Sequence, residues 1–360
     1  MRFSPYLLLF LPVNSFLQPV IRHASNFQTR QRSSTSPLCS SPSNDDDSTP
    51  LIVPEIVLEE NPETAAARET QQNAYRTSGL VYGAATMDLW SKTGKLTSFS
   101  RAMLTSTTGA ANVLAAVASY TLWGATKESR LTSDTYKRLN LSLAVYSTLM
   151  VVSGLASWKV VDPLPGVYCA SSTLAAHTFA AVTCMGGYFK GARGLAPGSS
   201  DLTSESTKNL ITGELITGTK FTFKTMFSSL KSLSTLPYAL GSIASSLMIL
   251  HDVVLTFFLV NKAKLTALKL MKRSASAGVS TLFFGVLVTL ADATKRGRLS
   301  GKTFVYLNAA TAFASTVLAA VTVMGKGSLN ALGGRSASTL LLAASVGLIS
   351  ARNSQKNWPS

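Results

Sequence analysis

Charged residues are scarce in this 360-residue chain, where they make up 14% of the sequence. A typical water-soluble domain has roughly a quarter of its residues charged. Negatively charged residues are the scarcer kind: from residue 70 onward there are nine Asp and Glu against 28 Lys and Arg. The basic residues lie in short stretches between long apolar runs. This pattern argues against a nucleic-acid-binding surface and favours a membrane protein whose loops face anionic lipid.

Histidine and cysteine are also scarce, with three of each. The histidines do not form the paired sets of a zinc or di-iron centre, and no Gly-x-Ser-x-Gly sequence is present. Cys169 and Cys184 share one apolar run, but on a helix they would be about 22 Å apart, too far for a disulfide. We therefore expect no enzyme activity, no metal and no cofactor.

The first 44 residues have the composition of a targeting sequence. Arg2 and the apolar run 6–13 predict a signal peptide at 1–15, and the Arg- and Ser-rich segment 16–44 contains no acidic residue, which is typical of a transit peptide. The junction at Ser15-Phe16 resembles the signal-to-transit boundary of bipartite presequences in algae with red-lineage complex plastids. The resemblance implies a multi-pass protein of a plastid membrane, envelope or thylakoid, with the endomembrane system as second choice. The alternative is a plain signal peptide followed by a disordered stalk.

Seven apolar segments predict transmembrane helices, because about 20 apolar residues are needed to cross a bilayer. Six are clear, and the seventh, the last of the series, is short but uncharged. They are 106–126, 139–158, 167–188, 237–260, 276–293, 303–325 and 337–351.

Three further segments complete the predicted organisation. Residues 45–76 are acidic and are expected to be a disordered tail. Segment 77–90 is expected to be an interfacial helix, with a half-buried helix or an eighth span as alternatives. Within the cationic loop 191–235, residues 210–233 predict an amphipathic helix on an anionic membrane surface.

An internal duplication is the most informative feature of the sequence. At an offset of 168 residues, 11 of the 24 positions in 125–148 are identical to those in 293–316. The shared Thr-Lys-x-x-Arg-Leu sequence at 126–131 and 294–299 is not a chance match between Ala-rich helices. It predicts a first membrane repeat at 77–190, a linker helix at 236–262, a second repeat at 263–351 and a tail at 352–360.

The predicted fold class is therefore an all-α integral membrane protein with about seven transmembrane helices. Two three-helix repeats flank one linker helix (3+1+3), and a shift of four helices makes the repeats parallel. The duplicated basic loops then share one side, assigned to the stroma. This arrangement resembles SWEET-type sugar carriers in architecture alone. If 77–90 also spans, the count becomes four plus four.

Three ionisable residues are predicted at membrane depth, where a charge costs roughly 2.5–3.5 kcal/mol and function is the default hypothesis. They are His177, His251 and Asp252. Adjacent residues point about 100° apart on a helix, so His251 and Asp252 are not expected to bond to each other. Asp252 could meet His177 and shuttle a proton or hold a cationic solute. The alternative is a structural role, with Asp252 accepting a hydrogen bond from Thr256.

Asn140 and Asn308 occupy equivalent positions in the two repeats. Symmetric amides could bind a solute on the pseudo-axis, or they could join helices, which is the commoner role of polar residues in membrane helices. The expected function is passage of a small solute or ion through the repeat interface. The alternative is a non-transporting scaffold or assembly factor for a plastid membrane complex. Expected partners are membrane lipids, a small-molecule or ion substrate, and a membrane protein or a second copy of the chain.

Overall fold

A computed structural model describes residues 62–93, 99–157, 171–192, 204–257, 267–299, 301–326 and 352–353. These ranges contain eight long helices and no strand. The helices are α1 (Pro62–Thr93), α2 (Phe99–Lys127), α3 (Asp134–Ser157), α4 (Ser171–Ala192), α5 (Ser204–Ser229), α6 (Leu236–Phe257), α7 (Ala267–Lys295) and α8 (Lys302–Lys326).

Four of these helices are long and apolar enough to cross a membrane: α3, α6, α7 and α8. The all-helical, membrane-spanning class is confirmed at this level. Segment 106–126 lies in α2, and most of 167–188 lies in α4; these helices of 29 and 22 residues are not among the four. The expected presequence (1–44) and the expected last span (337–351) lie outside the described residues.

Helix α1 belongs to the helix bundle. Tyr75, Tyr82 and Leu89 recur every seven residues along it and are completely buried, so they form one stripe that faces the other helices. The most extensive neighbour of α1 is α2, followed by α4. Segment 77–90 therefore packs lengthwise against α2 and α4 through one face, while Leu80 and Met87 on the opposite face are exposed; this packing does not fit the preferred interpretation of a separate interfacial helix.

The start of α1 also corrects the expected disordered tail at 45–76. Residues 62–76 are helical, and Gln71 and Tyr75 are buried. The segment has few large apolar side chains, but it begins with Pro62 and continues with Ala, Glu, Arg and Gln, all of which favour a helix at these positions. Hydrophobicity alone therefore placed the end of the disordered tail at residue 76, whereas α1 begins at Pro62.

Two turns 168 residues apart have the same backbone. Helices α2 and α7 end at Lys127 and Lys295, and α3 and α8 begin seven residues later in both cases. After each end, one residue has a left-handed conformation: Ser129 (φ 54°) and Gly297 (φ 65°). The hydrogen bonds Arg130 N to Ala125 O (2.8 Å) and Arg298 N to Ala293 O (2.9 Å) close both helices. Each turn is a Schellman cap, which satisfies carbonyls that the helix end leaves open.

The two halves of the chain pack crosswise. Here the first half is α1–α4 and the second half is α6–α8. Helix α2 packs on α8, and α7 packs on α3, whereas α2–α3 and α7–α8 touch little. Helices α2 and α7 are equivalent in the two halves, as are α3 and α8. An approximate two-fold rotation that exchanges the halves therefore places the α2–α8 contact on the α7–α3 contact. Helices α1 and α6 then cover α2 and α7 in the same way.

Close approach of α3 and α7 depends on small residues. A Cβ on Gly285 would lie 1.9 Å from Ser142 Oγ, and one on Gly278 would lie 3.4 Å from the Tyr146 carbonyl oxygen. Ser153 Oγ also donates to the Met271 carbonyl across this contact at 2.9 Å. Small residues of this kind let membrane helices pack by backbone contact, so this part of the interface between the halves is closed.

Candidate functional site

Both predicted asparagines are held by a tyrosine from another helix. Tyr75 Oη donates to Asn140 Oδ1 at 2.7 Å, and Tyr238 Oη donates to Asn308 Oδ1, also at 2.7 Å. Asn140 and Asn308 are almost completely buried. The two pairs link α1 to α3 and α6 to α8, so they occupy equivalent places in the two halves.

This geometry bears on the hypothesis that the two amides bind a solute on the pseudo-axis. Both amides face tyrosines of the covering helices α1 and α6, whereas the halves meet through α2–α8 and α3–α7. The asparagines therefore act as interhelical hydrogen-bonding groups, the alternative role that the sequence allowed. Asn140 Nδ2 and Asn308 Nδ2 have no partner among the described residues.

His177 lies in the first half between two tyrosine rings. Its ring is edge-to-face with Tyr82 and with Tyr146, at centroid distances of 5.5 and 5.4 Å. The hydroxyl of Tyr82 contacts Ser147 Oγ. Tyr146 Oη donates to Asn112 Oδ1 at 2.5 Å. These five residues, from α1, α2, α3 and α4, are named here the polar cluster.

Several atoms of the polar cluster have no partner in the described part of the chain. They are Nδ1 and Nε2 of His177, which is 1% exposed, and Nδ2 of Asn112, which is 0% exposed. Burying a polar group without a hydrogen bond costs about 1–3 kcal/mol. Buried polar atoms without a protein partner are uncommon, and a bound water, ion or small polar molecule would satisfy them.

The second half does not repeat the polar cluster. At an offset of 168, Asn112, Tyr146 and Ser147 correspond to Ser280, Ala314 and Ser315. The hydroxyl and amide groups that could bind a ligand are thus concentrated in the first half, although the surrounding backbone is shared. The sequence pointed to His177, but the tyrosines around it were missed because each one alone resembles a core aromatic.

His251 and Asp252 differ from the sequence-based expectation. His251 Nδ1 lies 3.1 Å from Asp252 Oδ1, so the expectation that these neighbours do not pair is wrong. Rotation of the two side chains overcomes the 100° separation of their Cα–Cβ bonds. The Asp252 side chain is buried and that of His251 is 43% exposed. The hypothesis that His177 meets Asp252 is not supported, because neither ring nitrogen of His177 has a partner in the described residues.

A buried carboxylate joins the two halves near their turns. Thr135 Oγ1 donates to Asp292 Oδ2 at 2.5 Å, and Arg296 Nε lies 3.0 Å from the same oxygen. At the equivalent place in the contact between α2 and α8, Gly124 faces Thr303, and a Cβ on Gly124 would lie 3.9 Å from Thr303 Oγ1. Sequence analysis missed Asp292 because it lies near a helix end, where a carboxylate is usually solvated.

A second charged group holds α5 against α3. Glu214 Oε1 accepts from Lys137 Nζ at 2.7 Å and from Arg138 Nη2 at 3.3 Å, and Lys137 also pairs with Asp134 at 3.1 Å. The Arg138 guanidinium lies directly on Gly218, where a Cβ would be 1.6 Å from it. The predicted amphipathic segment 210–233 is thus helical through Ser229, and it contacts the bundle through this charged group.

A cleft of about 270 Å³ separates α5 from α3 and α7. Arg138, Leu141 and Ser142 line it from α3, Phe284, Gly285 and Val288 from α7, and residues between Leu215 and Phe223 from α5. None of the five residues predicted from the sequence lies in its wall.

No group of three or more His, Cys, Asp or Glu suited to a metal exists within the described ranges. Comparison with protein-family models and with curated proteins found no match for the chain.

Proposed function

We propose that the chain is a multi-pass membrane carrier or channel for a small polar solute or ion, with the polar cluster as its binding site. The observation that carries the proposal is His177, completely buried between Tyr82 and Tyr146 with both ring nitrogens unpartnered among the described residues. Ionisable residues at membrane depth generally mark substrate or proton pathways.

The proposal changes the location of the pathway expected from sequence. The route would pass between α1, α2, α3 and α4, because that is where the polar cluster lies, and the contact of α3 with α7 is tightly packed. Parallel repeats in membrane carriers typically form their site at mid-depth. The crosswise packing and the repeated turns support a duplicated 4+4 arrangement, with α1 as the counterpart of α6, in preference to 3+1+3.

A flux assay with purified protein tests the transport proposal. Proteoliposomes are assayed for proton flux with an internal pH dye and for small neutral polyols by light scattering. We expect at least one flux several-fold above that of empty liposomes, and its loss in His177→Phe and Tyr146→Phe. The matched control is Tyr238→Phe, which removes a buried hydroxyl outside the polar cluster. Fluxes at the level of empty liposomes, or equal in all variants, would contradict the proposal.

The second candidate is a non-transporting scaffold or assembly factor. The two tyrosine–asparagine pairs favour it, because they use buried amides to join helices. A scaffold would use small residues on its helices to contact a partner, but Ala110, Ala115 and Ala310 are buried within this chain. Membrane lipids cover the remaining apolar surface in either case.

We further propose a plastid membrane as the location, on the basis of the segment at 1–44. A C-terminally tagged fusion combined with N-terminal sequencing of the mature protein tests this. A plastid signal with a mature end near residues 39–45 is the expected result. An endoplasmic reticulum signal with the Ser-rich segment retained would refute it.

A further inference from the structure

The cleft beneath α5 has the features of a lipid-binding site, which the proposed function does not use. We propose that this cleft binds one anionic phospholipid of the surrounding bilayer, with its phosphate at Arg138 and an acyl chain along the apolar wall.

Arg138 supplies the positive charge. Its side chain is 7% exposed, and its Nε has no partner in the described residues. Its contact with Glu214 is long, at 3.3 Å, and Glu214 is held more closely by Lys137 at 2.7 Å. A buried guanidinium with an open N–H favours an oxyanion, and phosphate matches its planar geometry.

The rest of the cleft is suited to hydrocarbon. Its wall includes Leu141, Phe284 and Val288, together with Leu215 and Phe223 of α5. Leu215 and Phe223 are 41% and 50% exposed, so the wall continues onto the outer surface of the bundle. A volume of about 270 Å³ holds part of a lipid and not the whole molecule. An acyl chain that leaves the cleft would therefore remain in the bilayer.

The charge around the cleft selects an anionic headgroup. Helix α5 lies across the end of the bundle where the two repeated turns meet, since Glu214 contacts the start of α3 and Ser228 contacts Lys295 at the end of α7. The turns, the adjacent helix ends, α5 from Thr212 onward and the residues just after it carry eleven basic and four acidic side chains. The basic ones are Lys127, Arg130, Lys137, Arg138, Lys220, Lys224, Lys231, Lys295, Arg296, Arg298 and Lys302, and the acidic ones are Glu128, Asp134, Glu214 and Asp292. Clusters of this kind attract anionic lipids.

Photo-crosslinking tests the proposal with the full chain. The protein is placed in phosphatidylcholine vesicles that contain a trace of phosphatidylglycerol with a diazirine in its acyl chain. After illumination, the crosslinked fraction is measured and its position is found by mass spectrometry. We expect crosslinks within 215–223 or 284–288, displaced by unlabelled phosphatidylglycerol and not by glycerol 3-phosphate.

Two variants and one control make the test specific. Arg138→Gln removes the charge, and Thr219→Trp fills the cleft while it leaves Arg138 in place, so a folding defect in the first does not decide the result. Each should lower the crosslinked fraction at least five-fold, whereas Lys272→Gln, at an exposed lysine near the opposite end of α7 from the turns, should leave it unchanged. Equal crosslinking in all variants would overturn the proposal. Equal displacement by extra phosphatidylcholine would show a groove without charge selection, and equal displacement by glycerol 3-phosphate would show a free-phosphate site; either would also overturn it.

Discussion

Ser129 and Gly297 hold the same left-handed backbone conformation in two turns that lie 168 residues apart. Each turn ends one helix with the same pair of hydrogen bonds and begins the next helix after the same number of residues. The turns therefore fix how α2 meets α3 and how α7 meets α8. The two residues should contribute differently to stability, because the Cβ of serine is sterically strained at positive φ and glycine has no Cβ.

Exchanging the residue types at these turns should change stability in opposite directions. Gly297→Ala should lower the free energy of unfolding by about 1 kcal/mol, and Ser129→Gly should raise it by roughly 0.5 kcal/mol. Thermal unfolding in detergent measures both. Gly213→Ala is the control, because Gly213 lies in α5 and a Cβ there meets nothing within 4 Å. An alanine at 297 that is tolerated as well as one at 213 would refute the cap.

The hydrogen bond from Thr135 to Asp292 should stabilise the contact between α3 and α7 and not the equivalent contact between α2 and α8. Thr135→Val removes the hydroxyl that donates to the buried Asp292 carboxylate and leaves Arg296 as its partner; loss of a hydrogen bond to a charged group costs about 1.5–3 kcal/mol. Thr303→Val changes the equivalent residue, which faces Gly124, and should be nearly neutral. Denaturation of the two variants under identical conditions gives the comparison. Equal losses would mean that Asp292 has no special role.

The two tyrosine–asparagine pairs should have similar coupling energies. Double-mutant cycles with Tyr75→Phe and Asn140→Leu, and with Tyr238→Phe and Asn308→Leu, should each give about 0.6–1.7 kcal/mol, the range of hydrogen bonds between membrane helices. Mixed cycles that combine Tyr75→Phe with Asn308→Leu serve as controls and should give none. A coupling near zero in the matched cycles would show that the amides are not joined to the tyrosines.

His177→Phe should separate stability from transport. The two unpartnered ring nitrogens destabilise the folded state, so phenylalanine between the same tyrosines should leave the unfolding temperature unchanged or raise it. Flux should nevertheless be lost if the polar cluster binds the solute. Unfolding is followed in detergent and flux in vesicles from the same preparation. A destabilised variant would instead indicate a structural histidine.

Sequence predicted the membrane class well because apolar length is a strong local signal. It also predicted the spans 139–158 and 303–325, which lie largely in α3 and α8, and a shared loop sequence aligned them with each other. The start of α1 was missed because Pro62 to Gln71 has low hydrophobicity, and only contact with α2 and α4 buries its apolar stripe. The pairing of His251 with Asp252 was missed because helical geometry fixes the Cα–Cβ directions and not the side-chain rotamers.

The site was only partly predictable for a similar reason. His177, Asn140 and Asn308 are conspicuous as polar residues in apolar runs, so hydropathy identified them. Their tyrosine partners lie 31 to 95 residues away in the chain, and nothing in the local sequence distinguishes Tyr82 or Tyr238 from an interfacial aromatic. The second repeat resembles the first in sequence, yet Ser280 and Ala314 stand where the first has Asn112 and Tyr146. The importance of this difference is evident only from the structure, which brings Asn112 and Tyr146 into the polar cluster.

Accessibility of the polar cluster to water tests the central claim most directly. In a background with Cys39, Cys169 and Cys184 replaced, a single cysteine is placed at Ser147, within the cluster, or at Ser315, its equivalent in the second half. Both serines are almost fully buried. Proteoliposomes are treated with a charged methanethiosulfonate reagent, and the rate of modification is measured. The account predicts that the cysteine at 147 reacts at least ten-fold faster than the cysteine at 315, because a transport site opens to water. Equal protection of both cysteines would contradict it and favour a packed scaffold.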